Sequence, residues 1–422
     1  MAEGNVRMSD VVDRFIRYCE VQSQSDPLKA DEVPSTQSQF DIANVIADDL
    51  RELGAEGVEV DGHAYVTAHW PASKGCEGLP CLGFCGHIDT AWQIECGAVH
   101  PHVVRYEGGR LVMGVVDGRE VATTPADNPA LDHMVGWDII TTDGTSLLGG
   151  DDKAGDAEVV SLLARLKADP SIPHPPLALS FVPDEEIGHG AALLDLKKWG
   201  ATWGYTLDGG PIGEFSYECF NAAEAKVRAT GFSVHTGTAK GLMVNASEVI
   251  MRIHQLLPPQ ERPEYTEGYD GFYYLERMEG GCEQALADYI IRDHDHDRFE
   301  ERKRVIEKAV DYVNACYGKQ VATVEISNQY LNMADVIHDD MHLVDNAEKA
   351  YAACGYDMRV IPMRGGTDGA QLCYRGLPCP NLSAGYYNAH GVKEFVPVPE
   401  LEGMVDVLQA LVGLYATPQD ER

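Results

Sequence analysis

Five short segments of this chain put acidic or histidine residues where apolar strands should end. GHID follows the apolar run 81–84, GGDDKAGD precedes a helix-like stretch, PDEE follows 177–182, LDGG closes the run from 203, and NAHG follows a late apolar stretch. Apolar strands alternating with helical patterns ask for an α/β sheet covered by helices. Open sheets of that kind hold ligands in the crevice just outside the carboxyl ends of their strands. The acids and histidines therefore fall where such a fold places its chemistry.

The surrounding pattern agrees. Val12, Phe15, Ile16 and Cys19 share one face of a helix over 9–21. Thr36 and Gln39 have capping-box spacing ahead of Phe40, Ala43, Ile46 and Leu50, and Gly54 suits the left-handed position that ends a helix. Strands are expected at 63–70 and 81–88, then a turn-rich stretch over 91–145, a helix at 155–167, and strands at 177–182 and 203–207. Near residue 214 the texture changes to strand, helix, strand, helix, strand: 215–230, 242–257, 284–292, 299–316 and 321–330. The last part returns to helix (341–354), strand (358–362) and helix (401–415). The expected architecture is a discontinuous α/β domain, 1–219 and 336–422, interrupted by an inserted α+β sandwich at 220–335.

Charge narrows the partners. The 422 residues carry 33 basic and 67 acidic side chains, a formal charge of −34. Such a surface repels nucleic acid and anionic membrane. At 44% hydrophobic residues the chain has the apolar content for folded cores, which excludes bulk disorder. MAEGNVRMSD lacks the basic and apolar regions of a secretory signal, and no apolar stretch reaches the roughly 18 residues of a membrane span. The cysteines are scattered, and Cys81 and Cys85 would sit about 13 Å apart along a strand, too far to share a metal. A soluble cytoplasmic protein with reduced thiols is expected.

Each chemical segment also has a plain structural reading. His87 and Asp89 share a strand face, and a carboxylate can hold the free N–H of a ligating imidazole, but a loop histidine beside a solvated aspartate fits as well. Asp151 and Asp152 could simply favour a helix N-terminus. The run Asp184, Glu185, Glu186 could be a solvated loop. The tract His294, Asp295, His296 fits solvated loop histidines and is assigned no ligand. Taken together, His87, Asp151, Glu186, Asp208 and His390 on one sheet edge supply the nitrogen and oxygen donors that suit Zn²⁺, Co²⁺ or Mn²⁺.

In order, GHIDT, TTDGTSLLGGDDKAG, PDEEIGHGA, LDGGPIGE, HTGTAKG, RGGTDGAQL and GLPCPNLSAGYYNAHG resemble the M20 metallopeptidases, and within them the aminotripeptidases. The resemblance runs from about residue 8 to the C-terminus and includes YTEGYDGFYYL and YIIRDHDHDRFE of the inserted region. It implies two zinc ions per subunit, one on His87, Asp151 and Asp208, the other on Asp151, Glu186 and His390. Asp89 would orient His87, and Glu185 would be the general acid/base. His235 would hold the substrate carbonyl oxygen, and Arg364 and Arg292 are implied substrate contacts. It further implies a cis peptide between Asp151 and Asp152 and a homodimer formed through a lid and dimerisation domain at 220–335. His235 could serve its own subunit or its partner, since the family has both kinds. The chain departs from the family pattern at His189, where the family has lysine, and in the segment after Thr90.

The implied activity is release of the N-terminal residue from short peptides, mainly tripeptides. Two other readings remain open: an M20 dipeptidase or N-acyl-amino-acid amidohydrolase with the same metals, and a non-catalytic metal- or peptide-binding homologue.

Overall fold

In a computed structural model that describes residues 9–94 and 97–419, the apolar runs Leu82–His87 and Leu177–Val182 are adjacent parallel strands, and every residue in both is buried. They lie in an eight-stranded sheet. Its order is Glu56–Val60, Val66–Trp70, Leu177–Val182, Leu82–His87, Trp203–Gly209, Asn381–Ser383, Glu214–Ser216 and Arg359–Val360. The middle strands, from Leu177–Val182 to Asn381–Ser383, all run parallel, so their carboxyl ends share one edge. Burial on both faces explains why they read as continuous apolar runs rather than as alternating patterns.

The strand order reverses at Leu82–His87. The next strand of this parallel set in the chain, Leu177–Val182, lies on one side of it, and Trp203–Gly209 lies on the other. That reversal opens a crevice at the carboxyl end of His87. The helix Gly150–Ala168 covers one face of the sheet, with Asp10–Cys19 and Val398–Leu414 packed against it. The other face carries Tyr65, Cys85, Val182, Trp199, Leu372 and Cys379.

Two glycines let the helix come close. A Cβ on Gly155 would meet the Leu207 carbonyl oxygen at 2.3 Å, and one on Gly86 would meet Asp156 Oδ1 at 2.4 Å. At Gly155 the obstacle is backbone and no side chain fits, and at Gly86 Asp156 would have to move, so the first turn of the helix lies against the strand ends.

The described residues divide into two units. One comprises the chain up to Tyr217, Asp335–Ile361 and the chain from Thr367 on; the other comprises Glu218–Ala334 and Pro362–Gly366. The second unit has a four-stranded antiparallel sheet ordered Phe272–Gly280, Gln284–Asp293, Asn221–Thr230, Ala322–Tyr330. The helices Ala246–Leu256 and His296–Tyr317 cover one face, burying Val227, Ile250, Ile253, Tyr289, Ile291 and Ile306. The element order is βαββαβ, a split βαβ arrangement.

The sequence pattern misses several elements. Within 91–145 the chain forms the strands His102–Arg105, Leu111–Val116, Arg119–Thr123 and Asp138–Thr141. The middle two make a hairpin turned by Asp117 and Gly118, at φ 49 and 73°, the positive values that a two-residue hairpin turn requires. Glu56–Val60 and Phe272–Gly280 are also strands without a strong signal, because both are sheet edges with mostly exposed residues. His294 is buried rather than solvated, its ring 4.3 Å from that of Phe220, and Asp295 caps the following helix by accepting from the Arg298 N–H. The described cysteines are free, and no described helix is long and apolar enough to cross a membrane.

Gly155→Ala should destabilise the protein by about 1–3 kcal/mol through overpacking. Gly413, with no atom within 4 Å of an added Cβ, should accept alanine at no cost. Chemical denaturation of both variants checks this, and equal stabilities would contradict the close helix–sheet approach.

Candidate metal centre

His87 ends its strand with Nδ1 hydrogen-bonded to the Asp89 carbonyl oxygen at 3.1 Å. The Asp89 carboxylate lies 3.4 Å from the same nitrogen. Nε2 is thereby aimed at Asp151 Oδ1, 2.8 Å away, with Asp208 Oδ1 at 3.6 Å. Asp89 also holds the neighbouring turn, where its two carboxylate oxygens accept the backbone N–H groups of Glu185 and Glu186, at 2.9 and 3.2 Å. One buried acid thus aligns the histidine strand with the acidic turn beside it.

Asp151 is not yet helical, at φ −80° and ψ 104°, and its peptide bond to Asp152 is cis. Its second carboxylate oxygen, Oδ2, lies 3.2 Å from His390 Nε2. His390 Nε2 also meets Glu186 Oε2 at 3.1 Å. One carboxylate therefore touches both imidazoles, one through each oxygen. Asp208, at the end of Trp203–Gly209, accepts from the Tyr386 hydroxyl at 3.2 Å, and its own N–H is held by Asn381 Oδ1 at 2.9 Å. Coordinating atoms of His87, Asp151 and Glu186 lie within 4.8 Å of one another, as do those of His87, Glu185 and Asp208. Glu185 thus sits on the His87–Asp208 side and Glu186 on the His390 side. His87 is buried, whereas His390 is 42% exposed, so the cluster opens to solvent on the His390 side.

The electrostatics ask for positive charge. Burial and its neighbour Asp208 push the Glu185 carboxyl well above its ordinary range. Burial takes Glu186 to about 7 and, with the Asp151 charge, Asp208 to about 6. Burial opposes charge on Asp151 as well, but the hydrogen bonds to His390 and His87 hold its pKa below the usual value. Hydrogen bonds to Asp151 and Glu186 carry His390 up to about 10. Burial disfavours a charged His87, yet its bonds to Asp151, Asp208 and Asp89 still raise it. Glu186 Oε1 is buried without a partner. Crowded acids with an orphaned oxygen, arranged around two imidazoles, fit divalent cations: the donors are nitrogen and carboxylate oxygen, the set that Zn²⁺, Co²⁺ and Mn²⁺ share.

The anchoring contacts of some residues at the centre escaped the sequence reading. Asp184, at φ 57°, is buried, and its carboxylate accepts from Ser35 N, Ser35 Oγ and Gln39 Nε2 at 2.7, 2.5 and 2.6 Å. It anchors the turn that carries Glu185 and Glu186. Asp368 accepts from Ala191 N at 2.6 Å just beyond that turn. Glu394 accepts from the backbone ahead of and at Asp151. The acidic run marked Asp184, but nothing in the sequence pairs it with residues near 35 or connects Glu394 with residues near 150.

The remaining sequence-based candidates lie in the second unit. His235 is exposed and accepts the Gly237 N–H on Nδ1 at 3.1 Å, capping a short turn. Arg292 donates to the carbonyls of Ala223 and Ile291 and to Gln329 Oε1, with its guanidinium over the Tyr330 ring. Arg364 donates to the carbonyls of Gly268 and Asp270 and to Thr266 Oγ1, and lies over the rings of Phe220 and Phe272. These contacts draw Pro362–Gly366 into the second unit.

Residues 143–413 match Peptidase family M20/M25/M40, and the chain belongs to that family of peptidases. It is similar along nearly its whole length to proteins named peptidase T. That of Aliivibrio fischeri is 41% identical, covering 97% of this chain and 99% of its own. That of Geobacillus kaustophilus is 42% identical, over 96% and 98%. Among solved structures, the fold resembles the aminopeptidase PepT of Bacillus cereus, with a TM-score of 0.76 and 24% identity over 97% of this chain and 98% of the other. It also resembles a dinuclear metal binding M20 peptidase of Bacillus subtilis, with a TM-score of 0.67 and 14% identity over 96% and 97%.

Proposed function

We propose that this peptidase is a two-metal aminopeptidase that releases the N-terminal residue of tripeptides. The observation that carries the reading is Asp151, whose two oxygens face His87 and His390. Full-length similarity to proteins named peptidase T supports the substrate class. His87, Asp151 and Asp208 would hold one cation, and Asp151, Glu186 and His390 the other, with zinc, cobalt and manganese all compatible with the donors. Bound there, two divalent cations lower the pKa of a water and polarise the peptide carbonyl.

The chain's own groups do the rest. Glu185, beside His87 and Asp208, takes the proton of the attacking water as the new C–O bond forms, and returns it to the amine as the C–N bond breaks. Asp89 keeps Glu185 in place through the backbone and His87 through its ring. Three protein ligands on each side would leave a position open for the substrate. His235 would hold the carbonyl oxygen, and Arg364 and, secondarily, Arg292 would contact the peptide.

Turnover of free tripeptides, dipeptides, tetrapeptides and N-acetylated amino acids tests the substrate. Tripeptides should be preferred, and preference for a blocked amine would favour the amidohydrolase reading. No turnover with Zn²⁺, Co²⁺ or Mn²⁺ would favour a binding protein. In the same assay Glu185→Ala and Glu185→Gln should lose about 10²–10⁴-fold in kcat or more while keeping bound metal. Glu186→Ala should lose metal and recover partly at high metal concentration. The reverse pattern would exchange the two roles.

A homodimer through the inserted unit accompanies this reading. Its sheet-edge strand Phe272–Gly280 exposes Tyr274 and Met278, and an unpaired edge is a ready surface for a second chain. Sedimentation equilibrium should give a dimer, and a monomer at micromolar concentration would exclude it.

A further inference from the structure

We infer that Glu394 is a positioning residue that sets the distance between Asp151 and His390. Its carboxylate is buried and reaches the turn ahead of Asp151. Oε2 accepts the N–H groups of Leu148 and Gly149, each at 2.8 Å, and Oε1 accepts that of Asp151 at 3.1 Å. One carboxylate thus ties three backbone amides of the turn, including that of the residue facing both imidazoles.

The other end of Glu394 is equally fixed. Its carbonyl accepts from Thr141 Oγ1 at 3.0 Å, and the next residues, Phe395–Pro397, pair with Asp138–Thr141. Tyr387 and Phe395 exchange backbone hydrogen bonds of 2.9 and 3.1 Å, closing a loop that carries His390 at φ 62°. The Tyr387 and Phe395 rings stack 4.9 Å apart, and Asn388 Nδ2 donates to the Lys393 carbonyl at 3.1 Å inside the loop. Glu394 therefore leaves the base of the His390 loop and ends on the Asp151 turn. A Cβ at Gly150 would lie 3.0 Å from Glu394 Oε1, so the turn is shaped around this carboxylate. The loops that carry His390 and Asp151, 239 residues apart in sequence, are held by one side chain whose two oxygens are taken up by backbone N–H groups.

The inference rests on the two-metal reading above. Its test is Glu394→Gln, which keeps the shape but offers only one accepting oxygen. With that oxygen on Leu148 and Gly149, the amide NH₂ opposes the Asp151 N–H and frees that end of the turn. Zinc affinity of the stripped protein, measured by competition with a chromophoric chelator, should fall about 10–100-fold, the usual cost of losing a group that orients ligands. Asp49→Asn, which removes the charge from the buried pairing of Asp49 with Arg14 and touches none of the residues of the centre, should lower stability and leave zinc affinity unchanged. Should Glu394→Ala fail to fold, Glu394→Gln still carries the test. Wild-type affinity in Glu394→Gln, with only its melting temperature lowered, would reduce Glu394 to a purely structural group and overturn the inference. Wild-type protein that binds none of Zn²⁺, Co²⁺ and Mn²⁺ would overturn both this inference and the two-metal reading.

Discussion

The carboxylate of Asp151 faces an imidazole with each of its oxygens, His87 at 2.8 Å and His390 at 3.2 Å. Much of the first unit is arranged to make that possible. His87 must end a strand, His390 must reach back from the far end of the chain, and the helix bearing Asp151 must lie on the sheet more closely than any side chain would allow. Gly155 and Gly86 remove the obstacle, and the parallel order of the central strands puts Asp208 and the 185–186 turn on the same edge. In a low-dielectric crevice so many acids repel one another strongly. Burial first, and the neighbouring Asp151 charge second, raise the carboxyls of Glu186 and Asp208, a penalty that bound cations would relieve.

Backbone amides and buried acids keep the geometry. Asp89 holds the 185–186 turn, Asp184 ties the same turn to Ser35 and Gln39, and Glu394 holds the turn before Asp151. Each replaces water on backbone N–H groups that loops at a buried crevice would otherwise leave unpaired. The side chains proposed as ligands would then need little rearrangement to accept a cation, which is what precise metal geometry demands of its surroundings.

The sequence exposed the part of this that is local. Apolar runs ending in GHID, PDEE and LDGG marked the strands and their chemistry, because a strand buried on both faces cannot hide its composition. Gly54 ends its helix at φ 98°, as its position implied. Edge strands such as Glu56–Val60 and Phe272–Gly280 were not legible, since their exposed residues follow no strict period. Nor was Glu394, whose partner Asp151 lies 243 residues away. Pro362–Gly366 joins the second unit through Arg364 stacked on Phe220 and Phe272, contacts no short-range pattern announces.

In the two-metal reading Asp151 bridges two cations. Anomalous diffraction at the zinc edge from crystals of the zinc-loaded protein tests it most directly. Two peaks per chain are expected, both in contact with Asp151, one completed by His87 and Asp208 and the other by Glu186 and His390. A single peak, or two peaks of which one lacks Asp151, would contradict it.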